Sequence, residues 1–197
     1  CLKMFGFGKK AEEKVIDTST TLNLQKGGIL NLSKTSSLEH IRMAGGWDIN
    51  SRGGADYDLD LMCQINYSNG KKKLVYFGNK VENGISLDKD NLTGEGDGDD
   101  ENIDIYFNKL DPNVEHLDIY VIIYQGKERH QTFGEVENAY VRVIDEKANK
   151  ELCRYDLSKD GNSSYSIKAG TFYKENGEWA FRAIGEYGKL SGGNLLG

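Results

Sequence analysis

Short runs of alternating apolar and polar residues, separated by turn residues, recur along most of the chain. Alternation with a period of two puts apolar side chains on one face of an extended segment, which is typical of a half-buried strand. Because the runs are short and numerous, they restrict the chain to a mainly β fold. Strands are predicted over 22–24, 29–32, 57–67, 73–77, 103–107, 117–124, 139–144, 152–157, 164–173 and 179–184.

The segments between these runs contain the residues that tight turns require. Two-residue hairpin turns are predicted at Asn69-Gly70, Asn83-Gly84, Asp160-Gly161 and Asn176-Gly177, because Asn, Asp and Gly accept the positive φ that such turns need. Only residues 128–136 have a pattern compatible with a short helix. We therefore predict a β-sandwich of two mostly antiparallel sheets with one or two short helices.

Length and charge limit the domain organisation and the class of partner. At 197 residues the chain can bury one sizeable core. Residues 1–20 are predicted to be a flexible extension, and residues 21–197 a single sandwich domain. The net charge is −6, and no basic stripe is present, which argues against nucleic acid as a partner. No apolar run reaches the roughly 20 residues of a transmembrane segment.

The three cysteines are far apart in the sequence, and no Cys-x-x-Cys pair occurs. This spacing excludes a zinc ribbon and a redox pair. Cys63 and Cys153 lie in apolar runs and are predicted to be small core residues. Such cysteine usage is expected of a protein from a reducing compartment.

Residues 90–101, here called the acidic loop, are the most unusual segment. They alternate acids with Gly94, Gly96 and Gly98. Crowded carboxylates repel one another unless a cation lies among them, and glycine lets the backbone turn so that several oxygens converge. Such hard oxygen ligands suit Ca²⁺. The spacing does not fit an EF-hand, because a register starting at Asp90 puts Leu92 where an acid is required. A solvated acidic loop is the alternative.

A second acidic cluster, here called the aspartate triplet, consists of Asp56, Asp58 and Asp60. Residues two apart on a strand share a face, so the three carboxylates are expected to point the same way. We expect the triplet and the acidic loop to meet around shared ions. The alternative is a charged strand edge that blocks pairing. The predicted metal ligands are Asp56, Asp58, Asp60, Asp90, Asn91, Thr93, Glu95, Gly96, Asp97, Asp99, Asp100 and Glu101.

Sequence motifs of nucleophilic or nucleotide chemistry are missing from the chain. There is no G-x-S-x-G and no P-loop. The histidines His40, His116 and His130 are scattered, and surface or capping roles are predicted for them. We therefore predict that the protein is not an enzyme. The alternative is a metal-dependent enzyme whose acidic loop and aspartate triplet hold a catalytic cation.

Further motifs occur in order along the chain: Gly-Gly-Trp-Asp at 45–48, Asp-Leu-Asp at 58–60, the acidic loop, and the segments 133–142, 154–157 and 176–183. Together they resemble the TerD family of tellurium-resistance and stress-response proteins, over about residues 22–191. Two positions depart from the family pattern. Lys89 stands where the family commonly has glycine, and the segment 185–189 is looser than the usual glycine-rich ending.

The resemblance implies a β-sandwich that binds Ca²⁺ through its acidic loops and has no firmly attached enzymatic activity. It also implies a cytoplasmic protein, peripheral at the inner membrane face, of the type encoded in tellurite, phage and colicin resistance clusters. The expected partners are calcium ions and other proteins of a stress-response or membrane-associated assembly. Trp47, Phe133 and Trp179 are candidate contacts for such partners, with core packing as the alternative.

Overall fold

A computed structural model describes residues 15–89, 92–96, 98–158 and 163–190 of the chain. Within these ranges strands are the dominant secondary structure, and α1 is a single helical turn. The elements are β1 (Leu22–Asn23), β2 (Ile29–Asn31), α1 (Leu32–Thr35), β3 (Ile41–Gly46), β4 (Leu59–Tyr67), β5 (Lys72–Val75), β6 (Val81–Glu82), β7 (Ile85–Lys89), β8 (Glu101–Ile105), β9 (Val114–Ile123), β10 (Tyr140–Asp145), β11 (Lys150–Asp156), β12 (Ser166–Glu175) and β13 (Glu178–Gly188).

The strands form two sheets. One sheet has seven strands in the order β1-β11-β10-β3-β8-β7-β6, and the other has six in the order β2-β13-β12-β9-β4-β5. Strand β1 pairs in parallel with β11, and the other named pairs are antiparallel. The predicted mainly β fold with two mostly antiparallel sheets is confirmed.

The hydrophobic core lies between the two sheets. Along β9, the alternate residues Leu117, Ile119, Val121 and Ile123 all belong to this core, as the period-two pattern predicts. Cys63 and Cys153 are buried free thiols, which confirms their predicted place in the core. Burial raises the pKa of the Cys153 thiol to about 12, because an apolar environment disfavours the thiolate.

The hairpin predicted at Asn176-Gly177 is confirmed. Strands β12 and β13 pair up to Glu175 and Glu178, and both turn residues have positive φ, 52° and 81°. Such a turn matches the right-handed twist of the flanking strands. The turn predicted at Asp160-Gly161 lies outside the described residues.

The helix predicted over residues 128–136 is wrong. This segment consists of turns and irregular backbone, and His130 has a φ of 55°, which no right-handed helix accepts. The helical turns lie elsewhere, in α1 and in a 3-10 turn at Phe107–Lys109. Phe133 and Val136, which are three positions apart as on one face of a helix, are both buried, but irregular backbone brings them to the core.

Strand β3 was not predicted, although it lies inside the seven-stranded sheet between β10 and β8. Its last two residues are Gly45 and Gly46, which weaken a strand signal. The structure explains Gly46, because a Cβ atom there would lie 2.5 Å from the Tyr140 hydroxyl. The glycine therefore makes room for an aromatic ring on the neighbouring strand.

Residues 1–14 of the predicted extension lie outside the described residues. In the remaining part, Asp17 forms a parallel bridge with Lys150 at the start of β11. The domain boundary at residue 20 stays a prediction. Among the residues that the structure describes, no helix has the length and apolar character needed to cross a membrane.

Candidate cation site

The aspartate triplet and the acidic loop approach each other at one end of the sandwich. The triplet leads into β4 of the six-stranded sheet, and the acidic loop leads into β8 of the seven-stranded sheet. Leu92 of the acidic loop lines the same cleft as all three aspartates. The two acidic segments are therefore neighbours, although more than thirty positions separate them in the sequence.

This cleft, here called the acidic cleft, has a volume of about 660 Å³. Asp58 and Asp60 are 8% and 6% exposed, whereas Asp56 is exposed. Burying ionised carboxylates is costly unless charge or hydrogen bonds offset it. Besides these acids, the cleft is lined by aromatic and aliphatic side chains and one basic side chain. Its lining residues are Ala55, Asp56, Asp58, Asp60, Phe77, Leu92, Tyr124 and Arg129.

The backbone of the aspartate triplet is fixed by donors from other parts of the chain. Gln131 donates its side-chain amide to the Ala55 carbonyl at 2.8 Å. The Trp47 indole N–H donates to the Tyr57 carbonyl at 3.0 Å, and the Tyr124 amide donates to the Asp58 carbonyl at 2.7 Å. Gln131 also donates to the Asp56 carbonyl at 3.3 Å. Because these donors hold the carbonyls of four consecutive residues, the backbone that carries the aspartate side chains is fixed.

The end of the acidic loop is held differently, through its carboxylates. Arg142 on β10 donates to both carboxylate oxygens of Asp99, at 2.8 and 2.7 Å, in the bidentate geometry of strong ion pairs. The Tyr140 hydroxyl donates to the same carboxylate at 3.0 Å. Asp99 is therefore anchored to the outer face of the seven-stranded sheet.

The next two acids bind backbone amides. The Asp100 carboxylate accepts from the Trp47 amide at 3.0 Å, and the Glu101 carboxylate accepts from the Leu61 amide at 2.5 Å. Asp100 and Glu101 are 2% and 1% exposed. Since Leu61 belongs to β4, the Glu101 side chain links the two sheets.

Arg142 is the centre of a buried charge network. Its guanidinium also donates to Glu151 at 2.6 Å, and Glu151 accepts from Arg154 at 3.1 Å. Burial by itself would raise the pKa of Glu151, but the hydrogen bonds from Arg154 and Arg142 outweigh it and lower that pKa. Burial and the neighbouring Asp99 carboxylate raise the pKa of the Tyr140 hydroxyl. Arg142 and Glu151 are therefore held charged, and Tyr140 neutral, at neutral pH.

The glycines of the acidic loop have distinct surroundings. Gly94 is buried with a φ of 74°, and a Cβ atom there would lie 2.5 Å from the Trp47 indole nitrogen. Gly96 has a φ of 113° with open space where a Cβ would stand. Thr93 accepts from the Glu95 amide at 3.3 Å, while Glu95 itself is exposed. The loop therefore touches the protein body at Gly94 and turns outward beyond it.

The predicted ligands fall into groups. Asp56, Asp58 and Asp60 line the acidic cleft, whereas Asp99, Asp100 and Glu101 bind the protein body. Thr93, Glu95 and Gly96 lie between them in the loop. Asp90, Asn91 and Asp97 lie outside the described residues.

The oxygen-only donor set of the cleft suits a hard cation such as Ca²⁺, which takes 6–8 oxygen ligands. Within the described ranges, no three His, Cys, Asp or Glu residues lie close enough together to bind a metal unaided. Asp58 and Asp60 would contribute carboxylates to a cation in the cleft, and further oxygens have to come from the loop. The individual ligand assignments stay predictions.

Three residues that sequence patterns did not assign to the site organise it. Arg142 fixes Asp99, and Gln131 and Trp47 fix the backbone of the triplet. The sequence contained a signal for Arg142, because it is a charged residue inside the alternating run Val-Arg-Val at 141–143. The buried Gln131 gave no comparable signal. Trp47, Phe133 and Trp179 are all buried, so core packing is their observed role.

The histidines have structural contacts. His40 lies 2.7 Å from the Asp104 carboxylate and stacks on Tyr106. His116 lies 3.5 Å from Asp118, and His130 is exposed in a turn. Among the described residues that line the acidic cleft there is no histidine.

Comparisons with known proteins bear on the family and the fold of the chain. Residues 20–193 match the family model described as the TerD domain. The tellurium resistance protein TerD of Serratia marcescens is 35% identical over 173 residues, covering 84% of this chain and 90% of the relative. General stress protein 16U of Bacillus subtilis is 39% identical with the same coverage. A crystal structure of a homologue of telluride resistance protein from Streptomyces coelicolor has the same fold, with a TM-score of 0.70, 19% identity, and coverage of 81% of this chain and 96% of that one.

Proposed function

This chain belongs to the TerD family of tellurium-resistance and general stress-response proteins, and on that premise we propose that it binds Ca²⁺ in the acidic cleft and acts as a Ca²⁺-dependent interaction module without enzymatic activity. Its partners are other proteins of a stress-response assembly. It works in the cytoplasm, peripherally at the inner membrane face.

The observation that carries the proposal is the pair of buried carboxylates, Asp58 and Asp60, facing a cleft that the acidic loop also lines. Burying ionised carboxylates is costly unless charge or hydrogen bonds compensate them, and like charges in one cleft add to that cost. Arg129 lines the same cleft, with its guanidinium 5.2 Å from the centroid of the Tyr124 ring. A divalent cation with several oxygen ligands would further compensate the negative charge of the cleft.

The surroundings of the cleft support a role in binding a partner protein. Phe77, Leu92 and Tyr124 line it and are 43%, 61% and 37% exposed. Clustered exposed apolar side chains commonly mark interaction surfaces. A bound cation would neutralise the aspartates between them and fix the loop that carries Leu92. Partner binding should therefore depend on the cation.

The lining also supports a binding role over catalysis. General acid–base catalysis needs a group whose pKa is matched to neutral pH and that lies within reach of the substrate. The carboxylates of the cleft would be kept ionised by the cation they bind. The rival proposal, a metal-dependent enzyme, requires such a group among the residues of the cleft or the loop.

Calorimetric titration tests the proposal. We expect wild-type protein to bind Ca²⁺ more tightly than Mg²⁺, because the flexible oxygen donors exceed what octahedral Mg²⁺ needs. The double variant Asp58→Asn/Asp60→Asn should lose Ca²⁺ binding, and the control variant Asp111→Asn, whose side chain does not line the cleft, should keep it. Equal affinity for the two ions, or unchanged binding by the double variant, would contradict the proposal.

A second measurement separates the interaction module from the enzyme. Phosphoester, nucleotide and peptide substrate panels should show no Ca²⁺-dependent turnover. Pull-down from lysate should instead capture a partner in Ca²⁺ and release it in chelator. Robust turnover that disappears in Asp58→Asn would favour the enzyme.

A further inference from the structure

Trp47 is in contact with both acidic segments. Its indole N–H donates to the Tyr57 carbonyl, between Asp56 and Asp58 of the triplet, at 3.0 Å. Its backbone amide donates to the Asp100 carboxylate at the end of the acidic loop, at 3.0 Å. The side chain is only 6% exposed, so both hydrogen bonds are sheltered from water. One residue at the end of β3 therefore links two segments from different sheets.

The middle of the acidic loop adds a third contact with the same residue. Gly94 packs so closely on the indole that a Cβ atom would lie 2.5 Å from the ring nitrogen and 3.2 Å from the Trp47 carbonyl oxygen. The glycine lets the loop backbone lie against the ring edge. Leu92, two residues earlier, lines the acidic cleft with the triplet. The path of the loop toward the cleft thus runs over Trp47.

We propose that Trp47 is a positioning residue for the cation site, which holds the acidic loop and the aspartate triplet at a fixed separation so that both contribute oxygens to one cation. The inference rests on the proposed function and assigns a role to a residue that contributes no cation ligand from its side chain. Ligands from two independent segments bind a cation tightly only if their separation is set in advance, because ordering them on binding costs conformational entropy.

The indole N–H is the part of the side chain that distinguishes positioning from packing. Phenylalanine keeps most of the apolar ring and loses that donor, which leaves the buried Tyr57 carbonyl without the indole bond. A single hydrogen bond is worth about 1 kcal/mol, equivalent to about five-fold in an equilibrium constant. We therefore expect Trp47→Phe to weaken Ca²⁺ binding by about five-fold.

Trp179→Phe is the matched control. Trp179 is 7% exposed, close to the value for Trp47, and it packs against Phe107 with ring centroids 4.8 Å apart. It lies on β13 and does not line the acidic cleft. The same loss of ring volume there should lower the melting temperature while leaving the Ca²⁺ affinity unchanged. Equal Ca²⁺ affinities for Trp47→Phe and wild type would overturn the proposal.

Hydrogen exchange without Ca²⁺ tests the positioning role separately from metal binding. The Asp100 amide donates to the Gly45 carbonyl and the Tyr124 amide to the Asp58 carbonyl, so each reports on one acidic segment. In Trp47→Phe both amides should exchange faster together, since local opening frees them. In Trp179→Phe they should not. Unchanged protection in Trp47→Phe would refute the positioning role, even if wild type failed to bind Ca²⁺ and the proposed function fell.

A pair of glycine variants tests the same contact from the loop side. Gly94→Ala and Gly70→Ala both place a side chain at positive φ, 74° and 80°, so both carry backbone strain. Only Gly94→Ala brings the new methyl group against Trp47, whereas a Cβ atom at Gly70 meets open space. Gly94→Ala should weaken Ca²⁺ binding more than Gly70→Ala, and equal losses would count against the contact with Trp47.

Discussion

The aspartate triplet and the last three residues of the acidic loop both consist of acidic side chains, but the protein binds different groups in each. It binds backbone carbonyls in the triplet and side-chain carboxylates in the loop. In the triplet, the backbone carbonyls of Tyr57 and Asp58 accept hydrogen bonds, and the carboxylates line a cleft. In the loop, the carboxylates of Asp99 and Asp100 accept the bonds. An acid-rich sequence can therefore contain both carboxylates that line a cleft and carboxylates that anchor the fold.

The two groups of acids also differ in how their negative charge is compensated. A carboxylate paired with a buried guanidinium gains strong hydrogen bonds, and breaking such a pair leaves an uncompensated buried charge. A carboxylate in a cleft can instead be compensated by an ion from solution. The carboxylates paired with a guanidinium should stabilise the fold with or without metal. The carboxylates in the cleft should do so only when metal is bound.

The largest effect is expected from Arg142→Met. The Arg142 side chain is 12% exposed, and its removal deprives Asp99 and Glu151 of the guanidinium that both carboxylates bind. Breaking a buried pair typically costs about 3–5 kcal/mol of unfolding free energy. Denaturant unfolding in chelator measures this cost without a metal contribution.

Lys147→Met is the control for that variant, because the Lys147–Glu39 pair is 58% and 53% exposed. Exposed pairs contribute at most about 1 kcal/mol. If the two variants lost similar stability, the anchoring role of the loop end would be refuted.

A smaller effect is expected from removing the cation. Binding to the folded state alone stabilises by about 2.7 kcal/mol when free ligand is at a hundred times its dissociation constant. Thermal unfolding with Ca²⁺ and with chelator should therefore differ in wild type and coincide in Asp58→Asn/Asp60→Asn. Asp99→Asn should lower stability in both conditions and retain most of the difference. If Asp99→Asn abolished the difference as completely as the double variant, Asp99 would be a ligand after all.

The smallest effect is expected from a change of pH, which should alter the free energy of unfolding through Glu151. The pKa of Glu151 lies below its ordinary value of 4.5 in the folded protein, so near that pH the unfolded chain binds more protons. Its stabilising contribution is complete above pH 4.5 and is lost as the pH falls through the lower folded pKa. Urea unfolding in chelator should show stability falling below about pH 4.5, and less steeply in Glu151→Gln. An identical slope in the variant would mean that Glu151 does not carry this dependence.

Local sequence patterns predicted most of the fold. Alternating runs identified long strands such as β9 and β13, and Asn-Gly identified the hairpin between β12 and β13, because these features arise from neighbouring residues. Strand β3 was not predicted because Gly45 and Gly46 weaken a strand signal, and the reason for Gly46 is the Tyr140 ring on another strand. The helix over 128–136 was wrong because Phe133 and Val136 have helical spacing but reach the core from irregular backbone.

The sequence predicted the candidate site less completely. Charge density located the triplet and the acidic loop. All three aspartates line one cleft, although only Asp60 lies within β4. The division of the acids into cleft residues and anchors depends on Arg142 and Trp47, which are distant from them in the sequence. Such pairings are set by sheet order, so no local pattern contains them.

The short parallel strand β1 protects the end of the seven-stranded sheet. Together with the bridge at Asp17, Leu22 and Asn23 cover the outer side of β11, whose seven residues would otherwise present unpaired backbone groups at the sheet edge. Uncovered edges of this kind recruit strands from other molecules. A chain trimmed to begin after Asn23 would therefore keep its core and its acidic cleft but become prone to self-association.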